Sequence, residues 1–143
     1  CELIELHRTQ AGSFDASMAC TMQQLTDALH VYREHGDDRG IRRLVCPIER
    51  LLSHLPKLVV KDGAAAAVSH GASLARPGVV KATPGIKAGS LILIESLKAE
   101  AVAVAELIVD TDTLIDISSG EIAKPKSVLM TPGTYPQSWS KST

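Results

Sequence analysis

From Lys57 to Met130 the chain is a succession of short apolar runs, each stopped by glycine or proline before it reaches the length of an ordinary helix. That punctuation restricts the fold more than any other feature. "KLVV", "SLILIES", "KAEAVAVAELIVD" and "GEIAKPKSVLM" read as strands, the third with its alternation blurred by alanine. Pro125 inside the last run removes a ladder donor, which predicts an edge or a bulge there. Only two short helices fit. One is the alanine-rich "GAAAAVSH", with Asp62 as cap and Gly71 as left-handed terminator. The other is "TDTLIDIS", with Thr111 or Asp112 as cap. Many short strands with glycine turns and few helices predict a small, partly open barrel.

The first 56 residues have a different pattern. "CELIELHRTQAGSF" alternates apolar and polar positions and predicts a strand and its turn. Thr21 and Gln24 have the spacing of a capping box, opening a helix whose Met22, Leu25, Leu29 and Tyr32 share one face and which Gly36 stops. "IRRLVCPIERLLSHL" is a second helical pattern. Pro47 predicts a break at Cys46 and a fresh helix after it, with Cys46 in the core. The expected division is 1–56, 57–135 and a polar tail 136–143, where Tyr135 and Trp139 pack back onto the barrel.

With 143 residues, 45% hydrophobic and 22% charged, the chain has enough apolar material for a packed core. Its net charge of −1 gives no global basic field, so a nucleic-acid surface would have to be local. Cys1, Cys20 and Cys46 are odd in number, widely spaced and lack a C-x-x-C pair, which speaks against a disulfide framework or zinc site and for a reducing compartment. No apolar run approaches the roughly 18 residues of a membrane-spanning helix.

Catalytic signatures are missing from the pattern. His7, His30, His35, His54 and His70 form no metal-ligand spacing, and no metal or cofactor is expected. "DTDTLIDISSGE" places acids at four positions of a calcium loop, but Leu114 and Ile115 stand where a ligand and a glycine are required. "SHGASLARPGVV" leaves two readings open: a helix cap followed by a plain turn, or an anion cradle built of glycine-exposed N–H groups with Lys61, Arg76 and Lys81.

Taken in order, "VKD", the alanine-rich helix, "HGASL", "PGV" and "GIKAG" resemble the PUA domain, a small RNA-binding pseudo-barrel. "ELIELHRTQAGSFD", "IRRLVCPIERLLSHLPK" and "LMTPGTYPQSW" narrow the resemblance to the box H/ACA RNA-guided pseudouridine synthases, the dyskerin family related to TruB. It implies an α+β fold: a mostly β PUA-type pseudo-barrel with short helices, preceded by a strand and helices from the end of a catalytic domain. It implies that the parent enzyme isomerises uridine in ribosomal RNA and that the family's catalytic aspartate lies upstream of Cys1, so that no catalytic residue is expected in this segment. The implied ligand is the box H/ACA guide RNA, through its lower stem and ACA trinucleotide. Core proteins of the ribonucleoprotein would dock on the catalytic domain, and no membrane is involved. Matching positions give Lys61, His70, Gly71, Ala72, Leu74, Arg76, Pro77, Gly78 and Val79 as the RNA-facing set, with Lys124 and Lys126 as weaker additions. The implied location is cytoplasmic for an archaeal protein and nuclear or nucleolar for a eukaryotic one. The chain departs from the family where paired arginines become His7-Arg8-Thr9-Gln10 and where Gly63 follows Asp62. The alternative is a PUA-type RNA-binding module of another RNA-modification or ribosome-associated protein.

Overall fold

The computed structural model describes residues 2–12 and 14–135. The chain divides into two compact units, Cys1–His54 and Leu55–Thr143.

In the first unit, β1 (Gln10–Ala11) and β2 (Phe14–Asp15) form a minimal antiparallel hairpin. The strand expected from the start of the chain is confined to these residues. Positions 2–9 form no ladder, and Leu3, Ile4 and Leu6 are exposed. A strand exists only through hydrogen bonds to a neighbour, and alternation alone cannot supply one. Helix α1 (Met22–His35) starts as its sequence predicts: Gln24 N–H donates to Thr21 Oγ1 at 3.1 Å and Thr21 N–H donates to Gln24 Oε1 at 2.9 Å. Gly36 ends it in the left-handed conformation. The expected apolar face of α1 stays largely open; Met22 and Tyr32 are exposed, and only Ala28 is buried. Helix α2 (Arg39–Leu44) and helix α3 (Ile48–Leu51) are separated at Pro47, as expected. Cys46, expected in the core, is exposed, because the break turns it out of both helices; its Sγ accepts from Arg50 Nη1 at 3.6 Å.

The second unit contains β3 (Lys57–Val60), α4 (Asp62–Ser69), β4 (Leu74–Ala75), a 3₁₀ turn (Arg76–Gly78), β5 (Val79–Ala82), β6 (Leu91–Glu95), β7 (Ala101–Leu107), a second 3₁₀ turn (Thr111–Ile115) and β8 (Glu121–Val128). Its six strands form one sheet in the order β4-β8-β7-β6-β3-β5. Among the described residues, only β3 and β6 run parallel. The edge strands β4 and β5 are consecutive in the chain, joined by the three-residue turn, so the sheet curls until its ends almost meet. The fold is the expected α+β pseudo-barrel. Leu58, Val60, Ile92, Ile94, Val102, Leu107 and Ile122 fill its interior, and α4 closes it with Ala65, Ala66 and Val68. Alanine on that helix is a packing requirement: a small side chain lets the helix backbone lie close to the sheet.

Pro125 falls where the sequence predicts. The register of β8 on β7 shifts between Val104, opposite Ser127, and Ala105, opposite Pro125, leaving Lys126 as the bulged residue. On its other side β8 pairs with β4 only at Ala123 and Glu121, so no ladder bond is lost to the missing N–H. Tyr135 returns to the barrel as expected. Buried, it donates from its hydroxyl to Glu100 Oε2 at 2.6 Å and lies 3.1 Å from Ser96 Oγ, with Lys98 Nζ 5.6 Å from its ring centroid. Trp139 and the rest of the expected tail lie outside the described residues.

Candidate nucleic-acid interface

Helix α4 ends in a Schellman motif. Gly71 N–H donates to Val68 O at 2.8 Å and Ala72 N–H to Ala67 O at 3.1 Å, with Gly71 at φ +88°. The anticipated terminator is therefore in place, and a Cβ on Gly71 would meet nothing within 4 Å, so its face is open. His70 is exposed, and its Nδ1 sits 2.8 Å from Ala66 O. A carbonyl can only accept, so Nδ1 carries the proton and a neutral ring has Nε2 as its acceptor. The start of α4 differs from expectation. Asp62 is the first helical residue and caps nothing; Lys61 holds the cap position, with Ala65 N–H donating to its carbonyl at 2.9 Å.

Lys61 N–H also donates to Gly78 O at 2.8 Å, which ties the start of α4 to the turn between the two sheet edges. Arg76 anchors that turn from the other side. Its N–H donates to Gly120 O at 2.9 Å and its Nε to Leu114 O at 2.6 Å. The half-buried arginine thus has one nitrogen committed to structure, while its terminal nitrogens keep their donor capacity. Gly78 does not leave main chain bare for a ligand. A Cβ there would stand 2.5 Å from the Cβ of Ala64, so the glycine exists to let the turn press against α4. Leu74, another member of the expected set, is 1% exposed and belongs to the core. Pro77 is exposed, and Ala72 and Val79 are half-buried.

The expected set therefore forms two groups. Lys61, Arg76, Pro77 and Val79 gather where α4 begins. His70, Gly71 and Ala72 lie where it ends, about 13 Å along a nine-residue span at 1.5 Å per residue. The antiparallel register of β4 on β8 pairs Leu74 with Ala123, so the chain beyond Ala123 runs toward the second group; exposed Lys124 borders a cleft it shares with Glu106 and Lys126. Lys126 is engaged: its Nζ is 2.8 Å from Glu106 Oε2, and that contact holds the Glu106 carboxyl below its usual range. The C-terminal end of α4 disfavours an anion through its dipole, so cations on β8 would have to offset it.

The acidic "DTD" that partly fits a calcium loop has a structural use. Asp110 Oδ1 accepts Ala88 N–H at 2.8 Å, Thr111 Oγ1 accepts Ile86 N–H at 2.9 Å and Asp112 Oδ1 accepts Gly85 N–H at 3.0 Å. Lys87 Nζ reaches Asp110 Oδ2 at 3.2 Å, and with the Ala88 contact it keeps the Asp110 carboxyl below its ordinary value, the backbone N–H contributing most. These three consecutive side chains grip the glycine turn 85–88 and fix the 3₁₀ turn beside it. Sequence spacing could not reveal this, because donors and acceptors lie more than twenty residues apart. Asp110, not Thr111 or Asp112, holds the cap position of that turn, and its side chain accepts no cap bond.

A six-stranded sheet closed almost to a barrel, with one alanine-rich helix across its mouth and cations around that helix, defines a PUA-type module. The PUA domain model matches residues 56–129, and the tRNA pseudouridylate synthase B C-terminal domain model matches residues 1–53. The chain belongs to the PUA domain family, and in front of that domain it carries the synthase-type C-terminal domain. It is 41% identical over 137 residues to a probable tRNA pseudouridine synthase B of Methanosarcina barkeri, covering 96% of this chain and 40% of that protein. It is 42% identical over 137 residues to the one from Methanococcus maripaludis strain C5, covering 96% and 41%. The chain thus spans about two fifths of these relatives. Among solved structures, it superposes with TM-score 0.85 and 39% identity on a chain of the archaeal box H/ACA sRNP Nop10-Cbf5 complex, covering 92% of this chain and 42% of the other. For an H/ACA RNP bound to a substrate RNA containing 2′-deoxyuridine, the values are 0.83, 35%, 92% and 42%.

Proposed function

We propose that this chain is the guide-RNA-binding portion of an RNA pseudouridine synthase acting on ribosomal RNA, holding an ACA trinucleotide and the lower stem beside it. The observation that carries this reading is the likeness across 92% of the chain to proteins solved within H/ACA ribonucleoproteins, one of them with RNA bound. Lys61, Arg76 and Lys124 supply the cations, and the open face of Gly71 and Ala72 supplies close backbone approach. The scarcity of aromatic side chains, 3% of the chain, argues against a stacking platform and for reading through backbone and polar groups. In this reading the uridine isomerisation belongs to other parts of the parent synthase, and the protein partners of the ribonucleoprotein contact those parts. Relatives from Methanosarcina and Methanococcus make the cytoplasm the proposed location. The match of residues 1–53 to the synthase C-terminal domain counts against a PUA module from an unrelated RNA-modification or ribosome-associated protein.

The test is fluorescence anisotropy of the full chain with an RNA hairpin ending in ACA and with the same hairpin whose trinucleotide is scrambled. Tighter binding of the first is expected, and equal affinity would remove the sequence-reading claim. A second reading, direct action on transfer RNA, is favoured by the names of the relatives. A transfer RNA that binds more tightly than the ACA hairpin would select it.

A further inference from the structure

We propose that the cleft between β5 and the 3₁₀ turn Thr111–Ile115 holds one unpaired nucleotide of a bound RNA, with a base that carries an exocyclic amine. This deepens the RNA-binding reading and rests on it. The cleft is lined by Arg76, Val80, Lys81, Asp112, Leu114 and Ile115, among others, and includes no residue of α4, of the 70–72 turn or of β8. It is therefore a different place from the helix-and-last-strand face considered above, meeting it only at Arg76 and Val79.

Three properties point to a nucleotide. First, Ile115 is 87% exposed and Val80 51% exposed, and both border the same cleft. The turn carrying Ile115 is held by the side-chain grip on the 85–88 loop and by Arg76 on Leu114 O, so this apolar surface is presented on a fixed support. Two aliphatic walls suit the faces of a planar base. Second, Arg76 and Lys81 both line the cleft, and neither pairs with a carboxylate among the described residues. They are placed to receive a phosphate. Third, Asp112 spends Oδ1 on Gly85 N–H, and its second oxygen retains acceptor capacity at the cleft. A carboxylate there accepts from the amine of adenine, cytosine or guanine. Uracil sets a carbonyl oxygen in that position and is disfavoured.

An extended peptide pairing with the β5 edge is the competing occupant. β5 has four residues, its register on β3 shifts between Val59 and Val60, and it carries exposed Lys81. Shortness, irregularity and an edge lysine all oppose strand addition, and unpaired cations favour a polyanion.

Methyl NMR of the full chain, with the Ile115 and Val80 signals assigned, is the direct probe. Adenosine and cytidine 5′-monophosphates are expected to shift both residues' methyls, with uridine 5′-monophosphate much weaker. Asp112→Asn, which keeps a carbonyl for Gly85 N–H, should narrow that preference. With hairpin RNAs, Ile115→Asp should weaken binding of a hairpin with an unpaired 3′ end about tenfold, while a blunt hairpin binds as before. Its exposed position spares the fold. If the single-stranded hairpin binds equally to both proteins and the methyls stay still, the cleft proposal falls while RNA binding stands. If neither hairpin binds, the RNA reading falls and takes the cleft with it. Methyl shifts caused by a strand-forming peptide and not by nucleotides would overturn the proposal in favour of a protein partner.

Discussion

Ala64 and Gly78 meet so closely that a methyl group on the glycine would lie 2.5 Å from the alanine Cβ. Helix α4 and the turn joining the sheet edges are thus fitted to each other at a contact neither residue could make if it were larger. Gly78→Ala is expected to destabilise the PUA unit by about 1–3 kcal/mol, the usual result of overpacking a filled site. Gly71→Ala tests another mechanism, because space is open there and only the φ of +88° resists a side chain; about 1–2 kcal/mol is expected. Urea denaturation of both variants gives the comparison. A neutral Gly78→Ala would show that the turn can move away from α4.

Lys61 and Leu74 should differ in how they affect RNA binding. Lys61→Ala removes an exposed cation and leaves the Lys61 main-chain bonds to Gly78 and Ala65 in place. If that lysine neutralises one phosphate, the slope of log affinity against log salt flattens by about 0.7–0.9. Lys124→Ala should do the same. Leu74→Ala behaves otherwise: the buried side chain leaves a cavity, and about 2–5 kcal/mol of stability is lost before any RNA effect can be read.

The grip of Asp110 on the 85–88 turn should loosen in acid. Its carboxyl is held below the ordinary value of 3.8 by Ala88 N–H and Lys87. A depressed folded value stabilises the structure above the unfolded value, and the contribution disappears as pH falls through the folded one. Protection of Ala88 N–H against hydrogen exchange, taken relative to the intrinsic rate at each pH, should therefore fall below about pH 4, and Asp110→Asn should remove that pH dependence. In the first unit Asp37, lowered to about 2 chiefly by its hydrogen bonds from Arg39, should titrate later in an NMR pH series.

Tyr135→Phe deletes a hydroxyl that donates to Glu100 and lies beside Ser96. A loss of about 0.5–1.5 kcal/mol is expected for the net hydrogen bond, read from the thermal midpoint. No change would mean that ring burial alone holds this residue.

Features that depend on neighbouring residues could be read from the sequence. Thr21 and Gln24 announce their capping box, Pro47 its break and Pro125 its bulge, because each effect acts within a few positions. Gly71 was legible for the same reason. Gly78 was visible as a glycine but not as the partner of Ala64, since folding alone brings the two together. The acids at 110–112 carried no signal of the loop they hold, and the alternating residues 2–9 gave no sign that a pairing edge would be absent among the described residues. For the candidate interface, sequence matching named Lys61, most of 70–79 and two lysines of β8 as one set, whereas the fold places its members at both ends of α4 and turns Leu74 inward.

The three residues Arg76–Gly78 that connect β4 to β5 span the one gap in the curled sheet. A covalent stitch that short cannot stretch, so the barrel cannot gape to admit a guest into its interior. Whatever this module recognises must be met by its outside as it stands, and contact should follow the pace of diffusion and charge, without a slow opening step.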